Sequence, residues 1–183
     1  MKKLSEKILF QGKWISIREV HFLNPRHQEV AWETIVRNEQ KSSVIVVPIL
    51  MPSRRIVLIK QYRLPLEDWV IGFPAGMTDG NPDQAFHELK EETGYIGEVA
   101  EESPALQINS GLLNETTKIV VMHINEHDPV NQNPCQSLEP TEEIEVLLVP
   151  YKEVRTFLLE QNSKGVRIAA GVWSVFGLQL HLG

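Results

Sequence analysis

Three glutamates stand close together near the middle of the chain, at Glu88, Glu91 and Glu92. If the segment is helical, their i, i+3 and i+4 spacing places all three on one face. Like charges on one face repel, and divalent metals such as Mg²⁺ bind carboxylate oxygens of this kind. The residues therefore predict a metal site for phosphate chemistry. The alternative is an acidic helix face that is only solvated.

The helix that would carry these carboxylates has recognisable boundaries in the sequence. Asn81 is predicted to be its N-cap, followed by Pro82 at the first helical position and Asp83 in the first turn. Gly94 is typical of the residue that ends a helix. The predicted inward side comprises Ala85, Phe86, Leu89 and Thr93.

The segments around this helix predict an α/β or α+β sandwich, because strands alternate with helices. A hairpin is expected from strands at 14–20 and 30–36 with a turn at 24–27, and residues 74–80 are expected to form a loop. A long polar loop is expected at 125–141. Further strands are predicted at 43–50, 55–62, 69–73, 105–108, 118–124 and 144–149, and helices at 152–161 and 166–182.

The composition is that of an ordinary globular protein of 183 residues, enough for one substantial domain. A net charge of -6 argues against nucleic-acid or membrane partners. Cys135 is the single cysteine, which excludes an intramolecular disulfide and favours a reducing compartment, the cytoplasm. We expect neither a signal peptide nor a membrane-spanning helix, because charged and polar residues interrupt every apolar run before it reaches the required length.

The acidic segment His87-Glu88-Leu89-Lys90-Glu91-Glu92-Thr93-Gly94 resembles the end of the signature helix of Nudix hydrolases, which reads Arg-Glu-(apolar)-x-Glu-Glu-x-Gly. Other short motifs are similar, in the same order, to the ADP-ribose/ADP-sugar pyrophosphatase branch of that family. They are Gly12-Lys13-Trp14, Trp32-Glu33, Lys60-Gln61-Tyr62-Arg63, Phe73-Pro74-Ala75-Gly76, Ser110-Gly111-Leu112 and Glu142-Glu143-Ile144-Glu145-Val146.

This resemblance implies a Nudix α/β/α sandwich with a mixed sheet over residues 41–183, preceded by a small N-terminal β-hairpin subdomain over residues 1–40. It also implies Mg²⁺-dependent hydrolysis of an ADP-ribose-like nucleoside diphosphate sugar to AMP and a sugar phosphate, with Mn²⁺ as an alternative metal. The implied metal ligands are the Ala75 carbonyl, Glu88, Glu91 and Glu92.

The implied catalytic base lies in the loop before the last strand, at Glu142, with Glu143 as the near alternative. Glu91 is assigned a catalytic role as well as a metal-binding one. Each loop acid could instead be an ordinary exposed glutamate.

The resemblance also implies that Trp14 and Trp32 sandwich the adenine, one from each subunit of a homodimer. The alternative is that both are core residues of the hairpin. Arg37 and Arg63 match positions that hold phosphates or the terminal ribose, although surface salt bridges are the alternative for both. Glu33, Met77 and Gly111 are further substrate contacts implied by the matching motifs.

Three departures from the family pattern concern the predicted site. His87 stands where the family has an Arg that orients a glutamate, and Gly72 stands where the branch often has an acid. The loop before the helix is short and lacks an early glutamate, for which Asp79 is a substitute. These departures favour a second hypothesis, a Nudix-fold nucleotide-binding or regulatory module with weak or no turnover.

Overall fold

The computed structural model describes residues 1–37, 42–78, 81 and 83–178. Within these residues the chain forms eleven strands, four α-helices and two short 3₁₀ helices, Leu64–Leu66 and Tyr151–Glu153. In chain order they are β1 (Lys2–Gln11), β2 (Ile15–Leu23), β3 (Glu29–Arg37), β4 (Ser42–Met51), β5 (Arg55–Arg63), β6 (Asp68–Gly72), β7 (Ala75–Thr78), α1 (Gln84–Thr93), β8 (Glu98–Glu102), β9 (Thr117–Asn125), α2 (Pro129–Gln132), β10 (Ile144–Pro150), α3 (Val154–Ser163), β11 (Arg167–Ile168) and α4 (Ala170–Phe176).

The internal contacts of the chain define two compact units. The first comprises Met1–Ser43, Met77–Asn81 and Pro104–Lys118, and the second comprises Val44–Gly76, Pro82–Ser103 and Ile119–Gly183. A segment far along the chain thus belongs with the N-terminal residues. The assignment of residues 1–40 and 41–183 as domains stays a prediction.

The N-terminal part of the first unit is an antiparallel sheet of three strands in the order β1-β2-β3. The predicted turn between β2 and β3 is confirmed, because the Asn24 side chain accepts hydrogen bonds from the backbone N–H groups of Arg26 at 2.9 Å and Gln28 at 3.0 Å. The predicted hairpin is incomplete, since β1 adds a third strand whose ten residues are all exposed.

The second unit is built around a mixed sheet with a helix layer on each face. Strand β6 pairs antiparallel with β5 and parallel with β11. Successive residues of β5 point to opposite faces, so Val57 packs in a core with Leu89 of α1, whereas Leu58 packs in a second core with Leu158 of α3 and Val172 of α4. The predicted α/β/α sandwich is therefore confirmed.

The observed elements differ from the predicted ones in several places. Residues 75–78 form β7, which pairs with β4, and not a loop. Residues 105–108 are not a strand, because only Leu106 makes an isolated bridge, to Thr117. The last predicted helix starts at Ala170, because residues 167–168 pair with β6. No helix among the described residues combines the length and hydropathy of a membrane span.

Candidate active site

Helix α1 carries the three glutamates and has a well-defined C-terminal end. Gly94 adopts the left-handed conformation with φ of 78°, and its N–H donates to the Lys90 carbonyl at 2.8 Å. The helix begins at Gln84 with Asp83 as its N-cap, so the prediction of Asn81 as N-cap is wrong. The carbonyl of Asp83 accepts the first backbone hydrogen bonds of the helix. Pro82 lies outside the described residues.

The three glutamates of α1 differ sharply in burial. Glu92 is only 2% exposed, Glu88 is half-buried and Glu91 is exposed. Glu92 therefore belongs to the inward side of the helix, which the sequence had assigned to Phe86 among others. Phe86 is 37% exposed, which corrects that prediction. The helix is rotated so that a carboxylate, and not an aromatic ring, faces the sheet.

The backbone of residues 75–76 lies directly against these carboxylates. The Ala75 N–H donates to Glu92 Oε2 at 3.0 Å. A Cβ atom at Gly76 would overlap the Glu88 carboxylate, so a larger residue there would require that side chain to move. The structure thus places Glu92 and Glu88 against the backbone of Ala75 and Gly76, and their assignment as metal ligands stays a prediction.

The electrostatics of this cluster are unfavourable to ionised carboxylates. Burial raises the pKa of Glu92 to about 8, and the charges of Glu88 and Glu142 add to the effect, while the Ala75 N–H and Arg63 oppose it. Burial is also the main cause of the raised pKa of Glu88, together with the charges of Glu91, Glu142 and Glu139. The Gln84 amide, which donates to Glu88 Oε1 at 2.7 Å, partly opposes this rise.

The two candidate bases occupy different positions. Glu142 is half-buried, and its charge acts on both Glu88 and Glu92. Its Oε2 accepts a hydrogen bond from the Glu139 N–H at 3.0 Å. Glu143 is exposed, and its carbonyl accepts a hydrogen bond from the Tyr62 N–H at 3.0 Å. The surroundings therefore favour Glu142 as the acid that acts near the α1 carboxylates.

A divalent metal fits the chemistry of this cluster. In the described part of the chain, no three acidic, histidine or cysteine side chains converge closely enough to enclose an ion as they stand. The donors are nevertheless all oxygens, and hard cations prefer such ligands. The raised pKa values of Glu88 and Glu92 reflect desolvation and mutual repulsion that a bound cation would relieve.

The departures from the family pattern have distinct structural outcomes. His87 is exposed, and among the described residues it forms no ion pair with a glutamate. Gly72 lies in β6, where an added Cβ atom would lie 3.6 Å from Ala169 Cβ, an ordinary van der Waals distance. Steric clash therefore does not explain why this position is a glycine. Asp79 lies outside the described residues.

The two predicted base-stacking tryptophans are exposed in the first unit. Trp14 is 63% exposed and Trp32 is 60% exposed, so neither is a core residue of this sheet. The Trp32 indole N–H donates to the Gly111 carbonyl at 2.8 Å, which brings two predicted substrate contacts together. Trp32 also lines a surface cavity of ≈ 380 Å³ with Phe22 and Leu113.

The two tryptophans lie far apart along the sheet. Trp32 is paired with Val20 on β2, whereas Trp14 precedes the first residue of that strand. The six residues from Trp14 to Val20 correspond to about 20 Å of extended chain. Trp14 and Trp32 of one chain are therefore too far apart to stack on the two faces of one base.

The charged residues of β3 point away from Trp32. Strand alternation places Glu33 and Arg37 on the face opposite to Trp32, because the β2–β3 register has no irregularity. Arg37 Nε lies 2.5 Å from Glu115 Oε2, with 40% of the arginine side chain exposed. This is the surface salt bridge that was the alternative role for Arg37.

Arg63 and Met77 occupy the ends of strands. Arg63 is the exposed last residue of β5, and its charge lowers the pKa of the buried Glu92. Among the described residues it has no ion-pair partner, so the surface salt bridge that was its alternative role is absent there. Met77 is a half-buried residue of β7 in the first unit.

Sequence reasoning missed three residues near the α1 carboxylates. Gln84 and Glu139 act on Glu88 as described above. Gln136 donates from its side chain to the Glu92 carbonyl at 2.6 Å. The spacing of Gln84 four residues before Glu88 was a visible signal. Glu139 and Gln136 lie in a loop with no periodicity, so no pattern pointed to them.

Comparison with known proteins connects this geometry to a family. No family model matches the chain. It is 35% identical to the ADP-sugar pyrophosphatase of Mus musculus over 164 residues, which cover 84% of this chain and 75% of that protein. It is 31% identical to an uncharacterized Nudix hydrolase of Schizosaccharomyces pombe over 181 residues, covering 94% and 88% of the two chains.

Two further similarities agree with these. The chain is 30% identical to the ADP-ribose pyrophosphatase of Saccharomyces cerevisiae over 174 residues, covering 89% of this chain and 75% of that protein. The fold matches the crystal structure of an ADP compounds hydrolase with a TM-score of 0.68 and 20% identity, over 87% of this chain and 84% of that one. The carboxylate helix, the sandwich around it and these relatives together show that the chain belongs to the Nudix hydrolase family.

Proposed function

We propose that this protein hydrolyses an ADP-ribose-like nucleoside diphosphate sugar to AMP and a sugar phosphate. The observation that carries the proposal is the carboxylate pair of half-buried Glu88 and buried Glu92, which lies against the backbone of Gly76 and Ala75. The Mus musculus and Saccharomyces cerevisiae relatives are pyrophosphatases of ADP-sugar and ADP-ribose. Their names support the choice of substrate class.

Glu88, Glu91, Glu92 and the Ala75 carbonyl are the proposed ligands of Mg²⁺, with Mn²⁺ as an alternative. When bound, the metal would neutralise charge on the diphosphate and lower the pKa of an attacking water. Glu142 accepts a proton from that water while the water oxygen attacks one phosphorus atom of the diphosphate. The bond from that phosphorus to the bridging oxygen breaks, and the second phosphate leaves. Arg63 balances negative charge beside Glu92.

We assign the recognition of the base to the N-terminal residues 1–40 and catalysis to residues 41–183. Because Trp14 and Trp32 of one chain lie too far apart to enclose a ring, the adenine is held by one tryptophan from each subunit. Glu33, Arg37, Met77 and Gly111 are assigned to substrate contact. For Arg37 this requires that a phosphate displace Glu115 from the guanidinium.

The proposed homodimer is supported by the apolar surface of the N-terminal sheet. Ile8 is 53% exposed and Phe10 is 55% exposed, in addition to the two tryptophans. Apolar patches of this kind are typical of interaction sites.

Sedimentation analysis of the wild type should give the mass of two chains. Substitution of Ile8 by Lys should reduce the measured mass to that of one chain. A wild-type mass of one chain would contradict the shared adenine site.

Two properties complete the proposal. The net charge of -6 argues against a broad nucleic-acid or membrane-binding surface. The single cysteine, Cys135, is exposed and unpaired, which is consistent with a reducing compartment, the cytoplasm.

The direct test is to incubate the protein with ADP-ribose and Mg²⁺ and to measure AMP. We expect AMP to form in the wild-type protein, to disappear with a chelator, and to be lost in Glu92→Gln. Glu98→Gln, which changes an exposed glutamate of β8, is the matched control and should retain activity. The absence of AMP above the Glu92→Gln level would contradict the hydrolase.

One observation favours the second candidate function, a nucleotide-binding module with weak turnover. His87 makes no ion pair with a described glutamate, so the support that an arginine would give those carboxylates is missing. Tight binding of ADP-ribose by calorimetry without AMP formation would establish this function.

A further inference from the structure

The loop that carries Glu142 is attached to the C-terminal end of α1 by a short segment, Pro134–Ser137, which we call the tether. The backbone of the tether packs so closely on Gly94 that a Cβ atom there would overlap Pro134 and Cys135. The Ser137 N–H donates to the Glu91 carbonyl at 2.9 Å. The tether therefore satisfies helix carbonyls that would otherwise lack a partner.

Gln136 makes the most informative contact in the tether. Its side-chain Nε2 donates to the Glu92 carbonyl at 2.6 Å and to the Ile144 carbonyl at 3.3 Å. An amide NH₂ has two donors, so this half-buried side chain can serve both carbonyls. One carbonyl belongs to the buried glutamate of α1, and the other belongs to the first residue of β10. The amide thus links the metal-binding helix to the strand that follows Glu142.

The residues between these two attachment points form a short closed loop, 138–143. Its far end is fixed because the Tyr62 N–H donates to the Glu143 carbonyl at 3.0 Å. Within the loop, the Glu142 N–H donates to the Glu139 carbonyl and the Glu139 N–H donates to Glu142 Oε2, both at 3.0 Å. Both ends of the loop are therefore held at fixed places beside α1.

We propose that Gln136 is a positioning residue that holds Glu142 at a fixed distance from the α1 carboxylates. This inference rests on the proposed function, because it assigns Glu142 as the base. Gln136 does not touch the substrate. It acts by fixing the two ends between which Glu142 lies.

The test compares Gln136→Met with Gln132→Met. Methionine keeps the length of the side chain and removes both donors. Gln132 is the matched control, because it also donates from its amide to a loop carbonyl, that of His127 at 3.3 Å. We expect kcat of Gln136→Met to fall about 10- to 100-fold with little change in KM, as is typical when the support of a metal site is lost. Gln132→Met should match the wild type.

A double-mutant cycle separates positioning from a general structural role. If Gln136 acts through Glu142, then Gln136→Met should cause no further loss of kcat in a Glu142→Gln background. An equal fall of kcat in both backgrounds would overturn the proposal.

Melting temperatures identify a variant that does not fold. In that case Gln136→Asn, whose shorter amide reaches only one carbonyl, should show an intermediate fall, and an unchanged kcat would overturn the proposal.

Hydrogen exchange tests the tether independently of activity. In Gln136→Met, the N–H groups of Ser137 and Glu142 should exchange faster than in the wild type, whereas those of α2 should not. Unchanged exchange at both amides would overturn the proposal. A wild-type protein that makes no AMP would refute the proposed function, and the exchange result would still decide whether Gln136 holds the loop.

Discussion

The carboxylates of α1 and the tryptophans of the N-terminal sheet depart in opposite ways from the usual distribution of side chains. Glu92 is 2% exposed although it is an acid, and Trp32 is 60% exposed although it is a large aromatic residue. Each arrangement costs free energy in the isolated chain. The comparison teaches that, under the proposed function, different partners would offset these two costs, a cation at the carboxylates and an apolar surface at the tryptophans.

The two regions also differ in how they are built. Glu92 is held by the Ala75 N–H, and its backbone carbonyl by Gln136, so its position depends on three segments of the chain. Trp32 is held by one indole hydrogen bond to Gly111. We therefore expect substitutions in the first region to affect the chemical step and those in the second to affect binding.

The largest effect is expected for Glu92→Gln. If Glu92 is a metal ligand, as proposed, its loss removes several kcal/mol of transition-state stabilisation, so kcat/KM should fall on the order of a thousandfold. The metal-free variant should be more stable than the wild type at pH 8, because glutamine carries no charge to bury. Steady-state kinetics and thermal melts measure the two effects. A variant that is both inactive and less stable would contradict the account.

An intermediate effect is expected for Trp32→Ala. Stacking of a base on an aromatic ring contributes about 1–3 kcal/mol, so KM should rise about 5- to 150-fold with kcat little changed. The melting temperature should change little because the side chain is exposed. Trp32→Phe, which keeps a stacking face, is the control and should recover much of the affinity. An unchanged KM in Trp32→Ala would contradict the proposal that Trp32 stacks on the base.

The smallest effect is expected for the Arg37–Glu115 pair. The Arg37 side chain is 40% exposed and that of Glu115 is 17% exposed, so solvent still screens the pair and Glu115→Gln should change stability by about 1 kcal/mol or less. If Arg37 also binds phosphate, Glu115→Gln should lower KM, because the guanidinium is freed, whereas Arg37→Ala should raise it. Equal KM values for both variants and the wild type would show that Arg37 does not bind substrate and serves only in the salt bridge with Glu115.

The sequence alone predicted those parts of the molecule that depend on local spacing. The helix around the glutamates was predicted from its boundary signals, and its end at Gly94, which follows from the conformational freedom of glycine, was found as expected. The sandwich followed from the alternation of strands and helices. The match of several ordered motifs identified the family, which the relatives confirm.

What could not be predicted depends on tertiary contacts. Glu92 is buried in place of Phe86 because of the way α1 is rotated against the sheet. Helical periodicity alone does not determine that rotation. Strand β8 was missed because all five of its residues are exposed, so they show no alternation. Gln136 lies in an aperiodic loop, and its role becomes visible only where that loop meets α1.

The measurement that tests the central claim most directly is the effect of Mg²⁺ on melting temperature as a function of pH. The pKa of Glu92 is raised from 4.5 to about 8, so between these values the folded state keeps a proton that the unfolded state has released. Without metal, the stability of the wild type relative to Glu92→Gln should therefore fall as the pH rises through this window.

Metal binding requires ionised carboxylates, so the stabilisation by Mg²⁺ should grow over the same window and be absent in Glu92→Gln. This result would establish the α1 carboxylates as a metal site whose unfavourable burial is relieved by the ion. A melting temperature that does not respond to Mg²⁺ at pH 8, or that responds equally in the wild type and Glu92→Gln, would contradict it.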